Sequence, residues 1–140
     1  MASILIICYS RTGKTKLLAE AISRGAAGIS RIKVDILAFN RVTVSDLVRY
    51  EGIILGSPVY IGGVASKCKE LIDDTTFVRG RLCGKGGAAF TTAGDHTGDK
   101  ETAILSIVQA MLIHGMIVVG DPIANSEGNE EHTCSRGPVT

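Results

Sequence analysis

The stretch Ile4-Leu5-Ile6-Ile7-Cys8-Tyr9-Ser10-Arg11-Thr12-Gly13-Lys14-Thr15-Lys16-Leu17-Leu18 decides the fold. Its first half is a short apolar run without polar alternation, the pattern of a strand buried on both faces of a parallel sheet. Its second half opens an amphipathic helix. Leu17, Leu18, Ala21, Ile22 and Ala26 form one stripe, with Lys14, Lys16, Glu20 and Arg24 outside it. Between the two halves, the hydroxyls of Ser10, Thr12 and Thr15 and one glycine meet the first free N–H groups of the helix.

The same alternation continues outward. Strands are expected at Ile4–Tyr9, Ile32–Leu37, Gly52–Gly56, Gly86–Phe90 and Met116–Val119. The second helix follows Thr43 or Ser45 as cap and carries Val44, Leu47 and Val48. The third carries Val64, Cys68, Leu71 and Ile72, and the fourth Ile104, Leu105, Val108, Met111 and Leu112. His114-Gly115 closes the fourth helix, His114 as a cap on its negative end. Alternation at this spacing implies an α/β fold, a doubly wound parallel sheet with right-handed crossovers. Ligands of such sheets bind just beyond the carboxyl ends of the strands.

Composition narrows the function classes. The 140 residues, 45% of them apolar, suit one domain over residues 1–140 with a real core. A net charge of +1 argues against a dedicated nucleic-acid binder, and no apolar run reaches the ~18–20 residues of a membrane span. Met1-Ala2-Ser3 runs directly into the first strand without a basic leader, which leads to the expectation of a cytoplasmic protein. Cys8, Cys68, Cys83 and Cys134 are widely spaced, so reduced thiols are expected rather than a disulfide framework or zinc site, with Cys68 and Cys134 the exposed pair. Seventeen glycines, about 12% against a typical ~7%, cluster between the apolar runs.

The loop after the first strand reads as an anion site, because unpaired amides, a positive helix end and hydroxyls converge there. Gly13-Lys14-Thr15 is not a nucleoside-triphosphate loop: that motif needs glycine where Cys8 stands. An ordinary helix cap would need one hydroxyl, not three.

Ser10-Arg11-Thr12-Gly13-Lys14-Thr15 resembles the FMN-phosphate loop of flavodoxin-like proteins. The resemblance implies a five-stranded sheet in the order 2-1-3-4-5 with FMN at the switch point. After the third strand, Gly56-Ser57-Pro58-Val59-Tyr60-Ile61-Gly62-Gly63 is similar to the flavin-contacting segment of the WrbA-type NAD(P)H:quinone oxidoreductases. It offers Ser57, Pro58, Val59, Tyr60, Ile61 and Gly62, with Tyr60 either touching the ring or covering the third helix. After the fourth strand, Thr91-Thr92-Ala93-Gly94-Asp95 resembles the segment holding the flavin and ribityl chain. His96 is a proton donor or a plain loop residue, and His132 lies where that branch places a histidine near a neighbouring subunit's flavin.

The resemblance implies hydride transfer from NAD(P)H to FMN and then to a quinone-like acceptor, in a homodimer or homotetramer. A one-electron carrier serving a redox partner protein is the alternative, but carriers of this family are strongly acidic and this chain is neutral. A phosphate- or nucleotide-binding module without redox chemistry is a third reading. Residues 124–140 read as a polar tail or loop where the family places a fifth helix. Part of the sheet near strands three to five is then expected to be bare, either because the chain is truncated or because another subunit covers it.

Overall fold

A strand centred on the apolar run Ile4-Leu5-Ile6-Ile7 starts the sheet at Ala2–Cys8 (β1), and the computed structural model describes residues 1–94 and 99–120. The further strands are Ile32–Ala38 (β2), Gly52–Tyr60 (β3), Gly63–Val64 (β4), Gly86–Thr92 (β5) and Ile117–Val118 (β6). The order β2-β1-β3-β5-β6 is parallel throughout, and β4 pairs antiparallel with the far end of β3. With β4 set aside, this is the expected order 2-1-3-4-5. Register places Ile6 between Ile36 and Ile54, so the centre of the sheet is aliphatic on three adjoining strands.

Helices occupy Lys14–Ala27 (α1), Val44–Arg49 (α2), Ser66–Asp74 (α3) and Lys100–Ile113 (α4), with a 3-10 turn at Thr75–Val78. Period-two alternation divides the core between the two faces. Leu5, Ile7, Ile53, Leu55 and Ala89 pack with Leu47 of α2, Leu71 of α3 and Ile104 and Ile107 of α4. Ile6, Cys8 and Phe90 pack with Ala19 of α1. Phe90 lies across the strand from Gly56, its register partner, and takes the space a side chain there would need.

The helix ends use the polar residues close by. Thr43 caps α2: its N–H and Oγ1 each donate to Asp46 Oδ2 at 2.9 Å. Lys85 Nζ donates to the carbonyls of Val48 and Tyr50 at 3.0 and 2.6 Å, closing the other end of α2. His114 follows α4 as expected, but its ring does not serve its own helix. Nε2 lies 2.7 Å from Thr75 Oγ1, and Thr75 donates its only proton to the Ile72 carbonyl. Nε2 is therefore the donor, tying α4 to the 3-10 turn. At the β6 edge Ile117 and Val119 are exposed.

Cys68 is buried on α3, not exposed, because it belongs to the apolar stripe that docks this helix on the sheet. Burial pushes its thiol up to about 12, partly offset by the Ser57 hydroxyl beside it. Burial also raises the Cys8 thiol, whereas Cys83 is exposed. Alkylation of the native protein at pH 8 is therefore expected to label Cys83 well before Cys8 or Cys68, which react only once the fold opens. Peptide mapping by mass spectrometry checks this; early labelling of Cys68 would contradict its burial.

Candidate cofactor site

The ends of β1, β3 and β5 deliver three segments to one place. After β1 the chain must turn sharply into α1, and Gly13 makes the turn at φ +95°, where a side chain is strained. Its N–H donates to Ser10 Oγ at 2.9 Å, and its carbonyl accepts the first helical bond, from Leu17 N–H at 3.0 Å. The amides of Lys14, Thr15 and Lys16 then have no partner within the helix, and no side chain caps them. Ser10 keeps its own proton to donate.

Thr15 and Thr92 are buried, with their hydroxyl oxygens 2.7 Å apart. One donates to the other, which pins the first turn of α1 to the end of β5. The accepting hydroxyl keeps its proton for a ligand in the cavity that both residues line.

The second segment departs from the sequence expectation. Ser57 to Tyr60 do not form a loop; they extend β3, with Ser57 beside Thr91 and Pro58 beside Thr92. Tyr60 then pairs with Gly63 through a two-residue turn, Ile61-Gly62. Both turn residues have positive φ, +45° and +74°, the requirement of a type I′ hairpin. Gly62 adopts this freely. Ile61, β-branched and fully exposed, does so under strain. The Tyr60 ring meets Tyr9 edge-on, with centroids 6.2 Å apart and planes at 85°, so Tyr9 belongs to the neighbourhood of the site although the sequence did not single it out.

Arg11, Thr12, Lys14, Thr15, Pro58, Val59, Tyr60, Thr92, Ala93 and Gly94 line one open cavity of about 450 Å³. Ser10 and Gly13 belong to the same loop as Arg11 and Thr12, and Ile61 and Gly62 to the turn after Tyr60, but none of the four lines the cavity. Ser57 and Thr91 do not reach it. Both are buried, on the sheet face that carries α3 and α4. Asp95, His96 and His132 lie outside the described residues.

Thr91 Oγ1 has no hydrogen-bond partner among the described residues. Thr91→Val keeps the shape and removes this uncompensated hydroxyl, so a gain of roughly 1 kcal/mol in unfolding free energy is expected. Chemical denaturation measures it, and a clear loss would show that the hydroxyl has a partner.

The donor set fits FMN. The volume lies within the ~300–1,000 Å³ of cofactor sites. One end offers uncapped amides, hydroxyls and the cations of Arg11 and Lys14 to a phosphate. The other offers Tyr60, Pro58 and the short backbone of Ala93-Gly94 to a flat ring.

Comparison with known proteins agrees. Residues 41–130 match the family described as NADPH-dependent FMN reductase. A protein of Sinorhizobium fredii named NAD(P)H dehydrogenase (quinone) is 35% identical over 145 residues, covering 89% of this chain and 73% of that protein. One of the same name from Azorhizobium caulinodans is 32% identical over 147 residues, with the same coverage. Among solved structures, a flavodoxin from the domain Archaea superposes with a TM-score of 0.73 at 29% identity, covering 86% of this chain and 79% of its own. A flavodoxin, WrbA-like protein from Agrobacterium tumefaciens has a TM-score of 0.71 at 23% identity, covering 84% and 76%, and shows the shared fold. With the sheet order, the uncapped α1 loop and these relatives agreeing, the chain belongs to the NADPH-dependent FMN reductase family of flavodoxin-like proteins, whose cofactor is FMN.

Proposed function

We propose that this chain holds FMN in the cavity between the ends of β1, β3 and β5 and uses it to pass electrons, two at a time, from NAD(P)H to a quinone-type acceptor. The observation that carries this reading is the convergence of an uncapped helix start, an aromatic hairpin and a small-residue strand end on one cavity. The relatives named NAD(P)H dehydrogenase (quinone) support the donor and the acceptor class. The overall charge of +1 supports a reductase over an acidic electron carrier.

Bound FMN supplies the redox chemistry, accepting hydride and returning electrons. The chain's residues bind and orient it. The amides of Lys14, Thr15 and Lys16, with Arg11, Lys14 and the Thr12 hydroxyl, hold the phosphate. Pro58, Val59, Tyr60, Thr92, Ala93 and Gly94 bound the ring. Asp95 remains a candidate flavin contact, and His96 and His132 remain candidate catalytic residues.

The exposed side chains of Leu112, Ile113, Ile117 and Val119 support a homodimer or homotetramer, which light scattering tests. Free thiols at Cys8, Cys68 and Cys83 support a reducing, cytoplasmic setting.

The deciding experiment adds FMN to the purified chain and follows its visible spectrum, then NAD(P)H oxidation with and without a simple benzoquinone. FMN binding with quinone-dependent turnover is the expected result. Binding without turnover, with reduction halting at a stable one-electron stage, would establish a carrier for a redox partner protein instead. No flavin binding would leave a non-redox phosphate-binding module.

A further inference from the structure

We infer that Ser57 is a positioning residue: its buried hydroxyl locks the β3–β4 hairpin in the shape that presents Tyr60 to the flavin, without touching the flavin. This rests on the reading that the cavity holds FMN.

The hairpin is too small to hold itself. Two residue pairs join it, Val59 with Val64 and Tyr60 with Gly63, and its turn carries the strained Ile61. A two-stranded ribbon of this length needs outside support, and a strained conformation persists only where its surroundings over-determine it.

Ser57 supplies that support at the base of the hairpin. Its Oγ accepts the Ala65 N–H at 2.8 Å and donates its own proton to the Pro58 carbonyl at 2.8 Å. Ala65 is the first residue after β4 and the N-cap of α3, so one hydroxyl ties the outgoing strand to the returning one and to the next helix. Ser57 is fully buried and Ala65 nearly so, so neither water nor a ligand replaces the bond when it is lost. The hydroxyl faces α3, while its strand neighbours Pro58 and Val59 line the cavity. Ser57 therefore acts on the site only through the hairpin.

The test uses the full chain with and without FMN. It reads the FMN dissociation constant, the residual fluorescence of bound FMN at saturation, and amide exchange across residues 59–65. Ser57→Ala is expected to weaken FMN roughly tenfold, because the competent hairpin becomes one conformer among several. It also raises the residual fluorescence and speeds exchange in the hairpin. Ser57→Thr keeps a hydroxyl and restores all three.

Ala65→Pro removes the donor instead, at a residue whose φ of −59° suits proline. Its Cδ also takes the place of the hydrogen aimed at Ser57 Oγ, so it is expected to be at least as impaired as Ser57→Ala, and the double variant to be no worse than Ala65→Pro alone. The inference is overturned if Ser57→Ala binds FMN within about twofold of wild type, if Ser57→Thr is as impaired as Ser57→Ala, or if the two single losses add. Should Ser57→Ala not fold, the Ser57→Thr and Ala65→Pro comparison decides alone. If the wild type itself fails to bind FMN, the cofactor reading falls. Hairpin exchange in the ligand-free variants then still reports whether Ser57 holds the hairpin.

Discussion

Gly56→Ala is expected to cost about 3 kcal/mol or more, at the upper end of what overpacking one methyl does. The new Cβ would fall inside the ring of Phe90, the register partner of Gly56 on β5. Phe90 is itself buried against Ile6, Cys8 and Ala19 and has little room to retreat. The strands on both sides are paired, so the backbone cannot bulge away without breaking the sheet at its centre. Against a total stability of ~5–15 kcal/mol, this lowers the melting temperature by roughly 10 °C or more. Thermal unfolding followed by circular dichroism measures it. Trimming the ring with Phe90→Leu should recover part of the loss in the double variant, since the two residues compete for one space. A Gly56→Ala protein that melts with wild type would show that the ring swings aside freely.

Thr12→Asp is expected to weaken FMN about 100-fold or more while leaving riboflavin affinity nearly unchanged. Thr12 is exposed at the cavity rim, just before the uncapped start of α1, so the substitution strains no packing. A carboxylate there opposes the phosphate with ~2–3 kcal/mol per unit charge at ~6–8 Å and an effective dielectric near 20. The loss should shrink as salt is raised, and Thr12→Asn, of similar size and neutral, should bind FMN nearly as wild type. Fluorescence titration of both flavins separates the outcomes. Equal losses for FMN and riboflavin would mean the loop had collapsed, and no loss for FMN would place the phosphate elsewhere.

The sheet order and the two faces were legible in the sequence because strands buried on both sides leave unbroken Ile/Val runs, and the helices between them leave stripes. The anion loop was legible because its chemistry is local: Ser10 to Thr15 are neighbours in the chain. What was not legible depends on partners distant in sequence. The third strand read as ending at Gly56 with Pro58 in the loop beyond, yet β3 continues through Pro58 to Tyr60, because a proline lacks only the donor side of the ladder. The β3–β4 turn was hidden because isoleucine occupies a position where asparagine or glycine would announce a hairpin. Ser57 read as a flavin contact from its place in the motif. Its side chain is instead buried and bonded to Ala65, eight residues on. The importance of Tyr9 depends on Tyr60, and no local pattern connects them.

The makeup of the cavity wall has a consequence for acidity. Among the described residues its lining consists of backbone amides, hydroxyls, apolar side chains, a tyrosine, an arginine and a lysine, with no carboxylate, thiol or imidazole. The described part of the wall therefore carries no group of a type that titrates near neutrality. The ligand does carry one: its phosphate sheds its second charge near pH ~6 as phosphate monoesters do. Mildly acidic solution would loosen the cofactor by altering the guest.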